Sequence, residues 1–126
     1  MLITDAKQLK EIQREFRDKF PYLKLEFYNS GHEVGKGSSI EEQINVNKSL
    51  KEIRTLHTEG ELAVHGNMKV STLEQMFADM YGLNVQVFRK SGNIWLQTTK
   101  TDEWTLAEQN RKGQSSQRSF NEKHNV

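Results

Sequence analysis

The chain reads as an α+β domain: a two-layer sandwich in which about four strands of a mixed sheet carry amphipathic helices on one face and end in a C-terminal β-hairpin plus short helix. Three observations predict it. Apolar residues recur at helical spacing in two separate stretches, alternate with polar ones in others, and a Gly-containing tight turn joins the last two strand-like runs.

In the first helical stretch, Asp5 to Phe20, Leu9, Ile12, Phe16 and Phe20 fall at steps of three and four. Asp5 is the expected N-cap with Gln8 as its capping-box partner, and Pro21 stops the helix because it has no N–H and its ring crowds the preceding turn. Leu23, Leu25 and Phe27 then alternate with Lys24 and Glu26, the pattern of a half-buried strand. From Asn29 to about Val46 the chain holds Gly31, Gly35, Gly37, Ser38 and Ser39 among few large apolar residues, so a long flexible loop is expected over 29–46.

A short helix is expected from about Asn47 to Leu56, with Leu50, Ile53 and Leu56 inward, and a short strand from Glu61 to His65. Leu73, Met76, Phe77, Met80 and Tyr81 then predict the second long helix, with Ser71 and Glu74 as capping box and Gly82 as stop. A right-handed parallel crossover would join the Glu61 strand through this helix to the next strand. The hairpin spans Asn84 to Thr99, turning at Ser91-Gly92. Thr101-Asp102-Glu103 offers caps for a short helix carrying Trp104, Leu106 and Ala107. Residues 111–126 are rich in Gln, Ser, Asn, Lys and Arg, too polar to offset ordering entropy, so one domain over 1–110 and a disordered tail over 111–126 are expected. No internal repeat is visible.

The length of 126 residues suits one domain. With no cysteine there is neither a disulfide framework nor a thiolate zinc site. The N-terminus turns charged at once, and no run approaches the ~20 apolar residues of a membrane span, so a cytoplasmic location and no membrane partner are expected. Net charge is +1, but the basic residues Arg111, Lys112, Arg118 and Lys123 against Glu122 give the tail +3 and leave −2 for the rest. The folded part therefore lacks the dense cationic composition of a nucleic-acid binder.

The stretch Gly82-Leu83-Asn84-Val85-Gln86-Val87-Phe88-Arg89-Lys90-Ser91-Gly92-Asn93, with Trp95, Thr98-Thr99, Thr101-Asp102 and Trp104 through Asn110, resembles the signature of an uncharacterised family of small bacterial α+β proteins. Gly66 through Glu74 resembles the same family. The resemblance implies a bacterial domain. It implies no activity, and no functional residue is carried over from it.

Pairing across Ser91-Gly92 would set Phe88 opposite Trp95 and Val87 opposite Leu96. One face would then hold Val85, Val87, Ile94 and Leu96 against the core, the other Phe88 and Trp95 flanked by Gln86, Gln97 and Lys90. Either Trp104 folds back over that aromatic pair, or the pair is offered to a partner. The candidate interaction surface is therefore Gln86, Phe88, Lys90, Trp95, Gln97 and Trp104.

Three functions fit these residues. The foremost is a non-enzymatic module binding a protein or itself through the aromatic face or an open sheet edge. The second is a single-stranded nucleic-acid binder, with the aromatics stacking bases beside Arg89, Lys90 and Lys100. The third is a small enzyme or ligand-binding domain using the glycine-rich loop at 31–39, although Gly31, Gly35 and Gly37 miss the phosphate-loop spacing at Lys36. No histidine has ligand spacing, and His32 and Glu33 with His65 are the best of the weak metal sets that could assemble in space, while Glu41-Glu42 and Asp102-Glu103 stand at helix starts as capping acids. No catalytic residue, metal or cofactor is expected.

Overall fold

The computed structural model describes residues 1–29 and 36–124. The glycine-rich loop's Gly31 and Gly35, together with His32 and Glu33, lie outside the described residues. The order is β1 (Leu2–Ile3), α1 (Leu9–Lys19), β2 (Leu23–Tyr28), a 3-10 turn (Ile40–Glu42), α2 (Leu50–Ile53), β3 (Gly60–Glu61), α3 (Val70–Tyr81), β4 (Asn84–Ser91), β5 (Ile94–Gln97), a second 3-10 turn (Thr99–Thr101) and α4 (Leu106–His124). The class is α+β as expected, but the sheet is not a four-stranded mixed one. Two antiparallel sheets form, β1-β3 and β2-β4-β5.

The expected parallel crossover is replaced by antiparallel pairing of β4 with β2, Leu25 facing Val87. The reason is that each strand has one apolar face, Leu23, Leu25 and Phe27 on β2 and Val85 and Val87 on β4, and side-by-side pairing puts both under the same helices. A repeat of apolar spacing that residue identity conceals precedes both strands. Ile3, Leu9, Ile12, Phe16 and Phe20 recur at the same intervals as Val64, Val70, Leu73, Phe77 and Tyr81, 61 residues on, and all ten are buried. Each set is one apolar helix stripe with its lead-in residue. The strands that follow the two stripes pair with each other: Leu23 meets Arg89 on one side of the Leu25–Val87 pair, and Phe27 meets Val85 on the other. β3 is taken by β1, a two-residue strand too short to leave a periodic signal.

The helix starts are built the same way. Gln8 and Ser49 bridge each other just ahead of α1 and α2, and Lys69 and Thr105 do so ahead of α3 and α4. Leu9 N donates to Lys48 O at 3.0 Å and Leu50 N to Lys7 O at 2.9 Å; Val70 N donates to Trp104 O at 3.0 Å and Leu106 N to Met68 O at 2.8 Å. The first N–H groups of a helix have no partner within it, so here each start satisfies its neighbour's. Consequently Asp5 and Ser71 are not the caps that the sequence suggests. Asp5 instead accepts from Arg54, Ser71 Oγ donates to Glu103 at 3.1 Å, and Glu74 Oε2 accepts from Val87 N at 2.9 Å. Gly82 does end α3, in the left-handed conformation with φ 64°.

The segment expected to be a disordered tail is α-helical as far as His124. Its order comes from contacts that apolar periodicity does not register. Gln109, Gly113, Ser116 and Phe120 succeed one another at helical steps along one face and lie against the hairpin. Gln109 Oε1 accepts from Arg89 Nη1 at 2.8 Å, Ser116 Oγ accepts from Gly92 N at 2.7 Å, and Phe120 packs on Gly92. Gly113 lets α4 approach Tyr22 so closely that a Cβ there would lie 2.8 Å from the Tyr22 Cβ. The core is thus closed by α1, α3 and the start of α4 over the inner face of β2 and β4, where Leu23, Leu25, Phe27, Val85 and Val87 are buried.

Candidate interaction surface

The hairpin turns at Gly92-Asn93 rather than Ser91-Gly92, with Gly92 at φ 61°. Ser91 pairs with Ile94, Lys90 with Trp95, Arg89 with Leu96 and Phe88 with Gln97. Each β4 residue thus meets a β5 residue two further along than expected. Because side chains alternate with period two, a slip of two leaves every residue on its expected face. Phe88, Lys90, Trp95 and Gln97 share the outer face with Lys24, which pairs with Phe88 across β2.

Trp104 does not cover this face. Its ring lies 5.8 Å from the Arg89 guanidinium carbon, on the opposite side of the sheet. The aromatic pair is instead dressed by cations: the Lys24 ammonium stands 5.3 Å from the Phe88 ring and 5.2 Å from Trp95, and Arg17 and Lys90 each stand 5.0 Å from Trp95. Such placements follow the negative π face of indole. Lys24 has a carboxylate at 3.7 Å, Glu26. Among the described residues, Arg17 and Lys90 have none within salt-bridge distance. Beside them a groove of about 730 Å³ runs along α1 and β2, lined by Lys10, Gln13, Arg14, Arg17, Lys24 and Glu26 among others.

The remaining predicted surface residues are engaged. Gln86 is fully buried, with Nε2 on Val87 O at 3.2 Å. Gln97 holds the chain after the first loop, accepting from Ser38 N at 3.0 Å and donating to Ser38 O at 2.8 Å. Gln43 donates to Glu26, so the same segment lies along β2, where Ile44 N meets Phe27 O at 2.8 Å. Desolvation there, helped by the Glu26 charge, pushes the Tyr28 phenol up to about 12.

On the inner side, Ile94 and Leu96 are not core as expected. They are 54% and 40% exposed because α4 covers β4 and leaves β5 at the sheet edge. Trp104, 38% exposed, lies over Arg89, the residue that pairs with Leu96 and whose pKa burial lowers. The ladder phase completes the picture. Thr98 N donates to Val87 O, so the alternation of an antiparallel pair spends the backbone groups of Leu96 and Ile94 on β4 and directs those of Trp95 outward. No strand among the described residues meets that edge.

Sequence reasoning missed Arg17, Lys24 and the exposure of Ile94 and Leu96. Arg17 and Lys24 reach Trp95 only because β2 pairs with β4, which no local pattern encodes. Elsewhere, Asp5 Oδ2 lies 2.9 Å from His57 Nδ1, but Asp5 is anchored by Arg54 and no hydroxyl among the described residues completes a nucleophilic triad. No three metal-ligating side chains converge among the described residues, and no helix there is long and apolar enough to cross a membrane.

No family model, curated protein or solved structure matches this chain.

Proposed function

We propose that the chain is a non-enzymatic protein-interaction module whose working surface is β5. The observation that carries this reading is the state of that strand: it ends the sheet, turns the backbone of Trp95 outward, and exposes Ile94 and Leu96. An uncovered edge is a template for another chain, and exposed aliphatic residues beside an Arg–Trp pair have the composition of interface hot spots. The nucleic-acid reading is weaker. Arg89, which it needs beside the aromatics, belongs to the other face, and the Trp95 and Phe88 rings already carry cations where bases would stack.

The test is site-specific photo-crosslinking in cells that naturally make the chain, with the crosslinker at Ile94 and, as control, at exposed Thr72 on α3. Discrete protein adducts from position 94 alone support the module. Equal labelling from both positions, or adducts to nucleic acid, would reject it.

A further inference from the structure

Resting on that reading, we infer that β5 receives an extended acidic segment of a partner protein as a fourth strand of its sheet. The segment alternates carboxylate and apolar side chains. The backbone fixes this pattern. Trp95 offers its outward N–H and C=O to an incoming residue, and side chains on adjacent strands that lie opposite one another share a face. The residue opposite Trp95 therefore projects onto the outer face, where Arg17, Lys24 and Lys90 converge on one indole ring at 5.0, 5.2 and 5.0 Å. Two of these cations have no carboxylate within salt-bridge distance among the described residues. An acidic side chain there completes a charge cluster that the fold compensates only at Lys24, through Glu26. The residues before and after it project to the inner side, onto Ile94 and Leu96, so they must be apolar.

Charge also discriminates among occupants. A second copy adding its own β5 would bring its Arg17, Lys24 and Lys90 against the same three cations, and like charges across an interface oppose association. A nucleic-acid strand supplies anions but no apolar side chains in register with Ile94 and Leu96. At the far end of β5, Gln97 is tied to Ser38, so the added strand is short and centred on Trp95.

The probe is a soluble peptide with a central Val-Glu-Val-Glu-Val run, compared with Val-Lys-Val-Lys-Val and with a block-ordered isomer of the first. Binding is read by Trp fluorescence and by hydrogen exchange at the Trp95 amide. The alternating acidic peptide should bind best, protect that amide, and weaken as salt rises. The Arg17→Glu, Lys90→Glu double variant, at one exposed and one half-buried cation, should lose about tenfold or more in affinity while still unfolding cooperatively, its midpoint lowered by no more than two cation–π contacts. Equal binding of the lysine or block-ordered peptide, binding indifferent to the double variant, displacement of the peptide by an oligonucleotide, or a wild-type dimer at micromolar concentration would each overturn the inference. If a natural partner crosslinks at Ile94 yet ignores the double variant and salt, the acidic inference fails and the module stands. If position 94 gives no protein adduct, the module reading itself fails.

Discussion

Arg89 stands between Gln109 and Trp104, donating to the Gln109 amide oxygen at 2.8 Å while its guanidinium carbon lies 5.8 Å from the indole ring. This arrangement anchors α4 on the inner side of the sheet and keeps Trp104 away from Phe88 and Trp95. It also makes Trp104 a lid on a charged side chain rather than a core residue. Trp104→Ala should therefore cost about 1 kcal/mol or less, the scale of an exposed cation–π contact. Leu106→Ala, two residues on and fully buried, should cost about 2–5 kcal/mol. Urea unfolding followed by circular dichroism measures both; equal losses would mean that Trp104 belongs to the core.

Gly113 gives a test in which the usual sign reverses. Glycine inside an exposed helix is worse than alanine by roughly 0.5–1 kcal/mol, so Gly→Ala ordinarily stabilises. Here the new Cβ would meet Tyr22 Cβ at 2.8 Å, Tyr22 O at 3.0 Å and Arg89 Cγ at 3.3 Å. Two of these are backbone or near-backbone atoms that cannot swing aside. Gly113→Ala should thus destabilise by about 1–3 kcal/mol, the range of overpacked sites. A raised denaturation midpoint would show that α4 is not docked on Tyr22 in solution.

These two residues also show what a sequence can reveal and what it hides. The stripes of α1 and α3, the alternation of β2 and β4 and the Gly82 stop were legible because each is a local pattern of apolar residues. Gln109, Gly113 and Ser116 dock α4 through a hydrogen bond, a missing side chain and another hydrogen bond, so hydrophobic periodicity read their segment as a tail. The repeat linking Ile3, Leu9, Ile12, Phe16 and Phe20 to Val64, Val70, Leu73, Phe77 and Tyr81 lay in the spacing of apolar positions, and only Phe16 and Phe77 share an identity. The pairing of β2 with β4, which brings Lys24 beside Phe88 and Trp95, is set by the two apolar strand faces sharing one helix layer. The outer-face members of the candidate site were legible as a face, since alternation survives a slip of two. Their electrostatic surroundings, set by long-range pairing, were not.

Glu74 is a buried carboxylate on α3 whose Oε2 accepts from Val87 N at 2.9 Å. That N–H would otherwise point at the place where β5 gives way to Thr98, and helix α3 thereby supplies the acceptor a strand would have provided. Glu74→Ala leaves a buried donor without a partner and should cost about 1–3 kcal/mol beyond its lost packing. Glu74→Gln keeps a carbonyl acceptor in place and should cost clearly less. Hydrogen exchange at the Val87 amide should quicken in the alanine variant only, and equal exchange in both would refute the assignment.

Tyr28 makes an alkaline prediction. With its phenol pushed up to about 12 in the fold against an ordinary value near 10, the unfolded chain ionises first as pH rises. Its contribution is whole below about pH 10 and is lost between there and about 12. Tyr28→Phe should remove this part of the alkaline decline, seen as denaturation midpoints that fall less steeply than those of the wild type above pH 10. Parallel curves would mean that the hydroxyl is not desolvated.

Asp5 governs the acid side. Burial raises its pKa, but hydrogen bonds from Arg54 and His57, with their charges, outweigh that effect and hold the carboxyl below the ordinary carboxylate range. Arg54 reaches Asp5 Oδ1 through Nε at 3.0 Å and Nη2 at 2.8 Å, and its Nη1 donates to Tyr81 O at 2.9 Å, so the pair fastens the segment after α2 to the end of α3. A depressed folded pKa gives stability that is complete above the unfolded value and is lost as pH falls through the folded one. Asp5→Asn keeps one acceptor but removes the charge. It should be less stable than wild type at neutral pH, and the gap should close as pH falls below about 4. Glu103 and Glu108, also held low, by Lys69 and by Thr105 respectively, titrate in both proteins and cancel in the difference. Urea midpoints measured on both proteins from pH 7 downward test this, because a gap that stays constant with pH would mean that the Asp5 charge contributes nothing to holding Arg54.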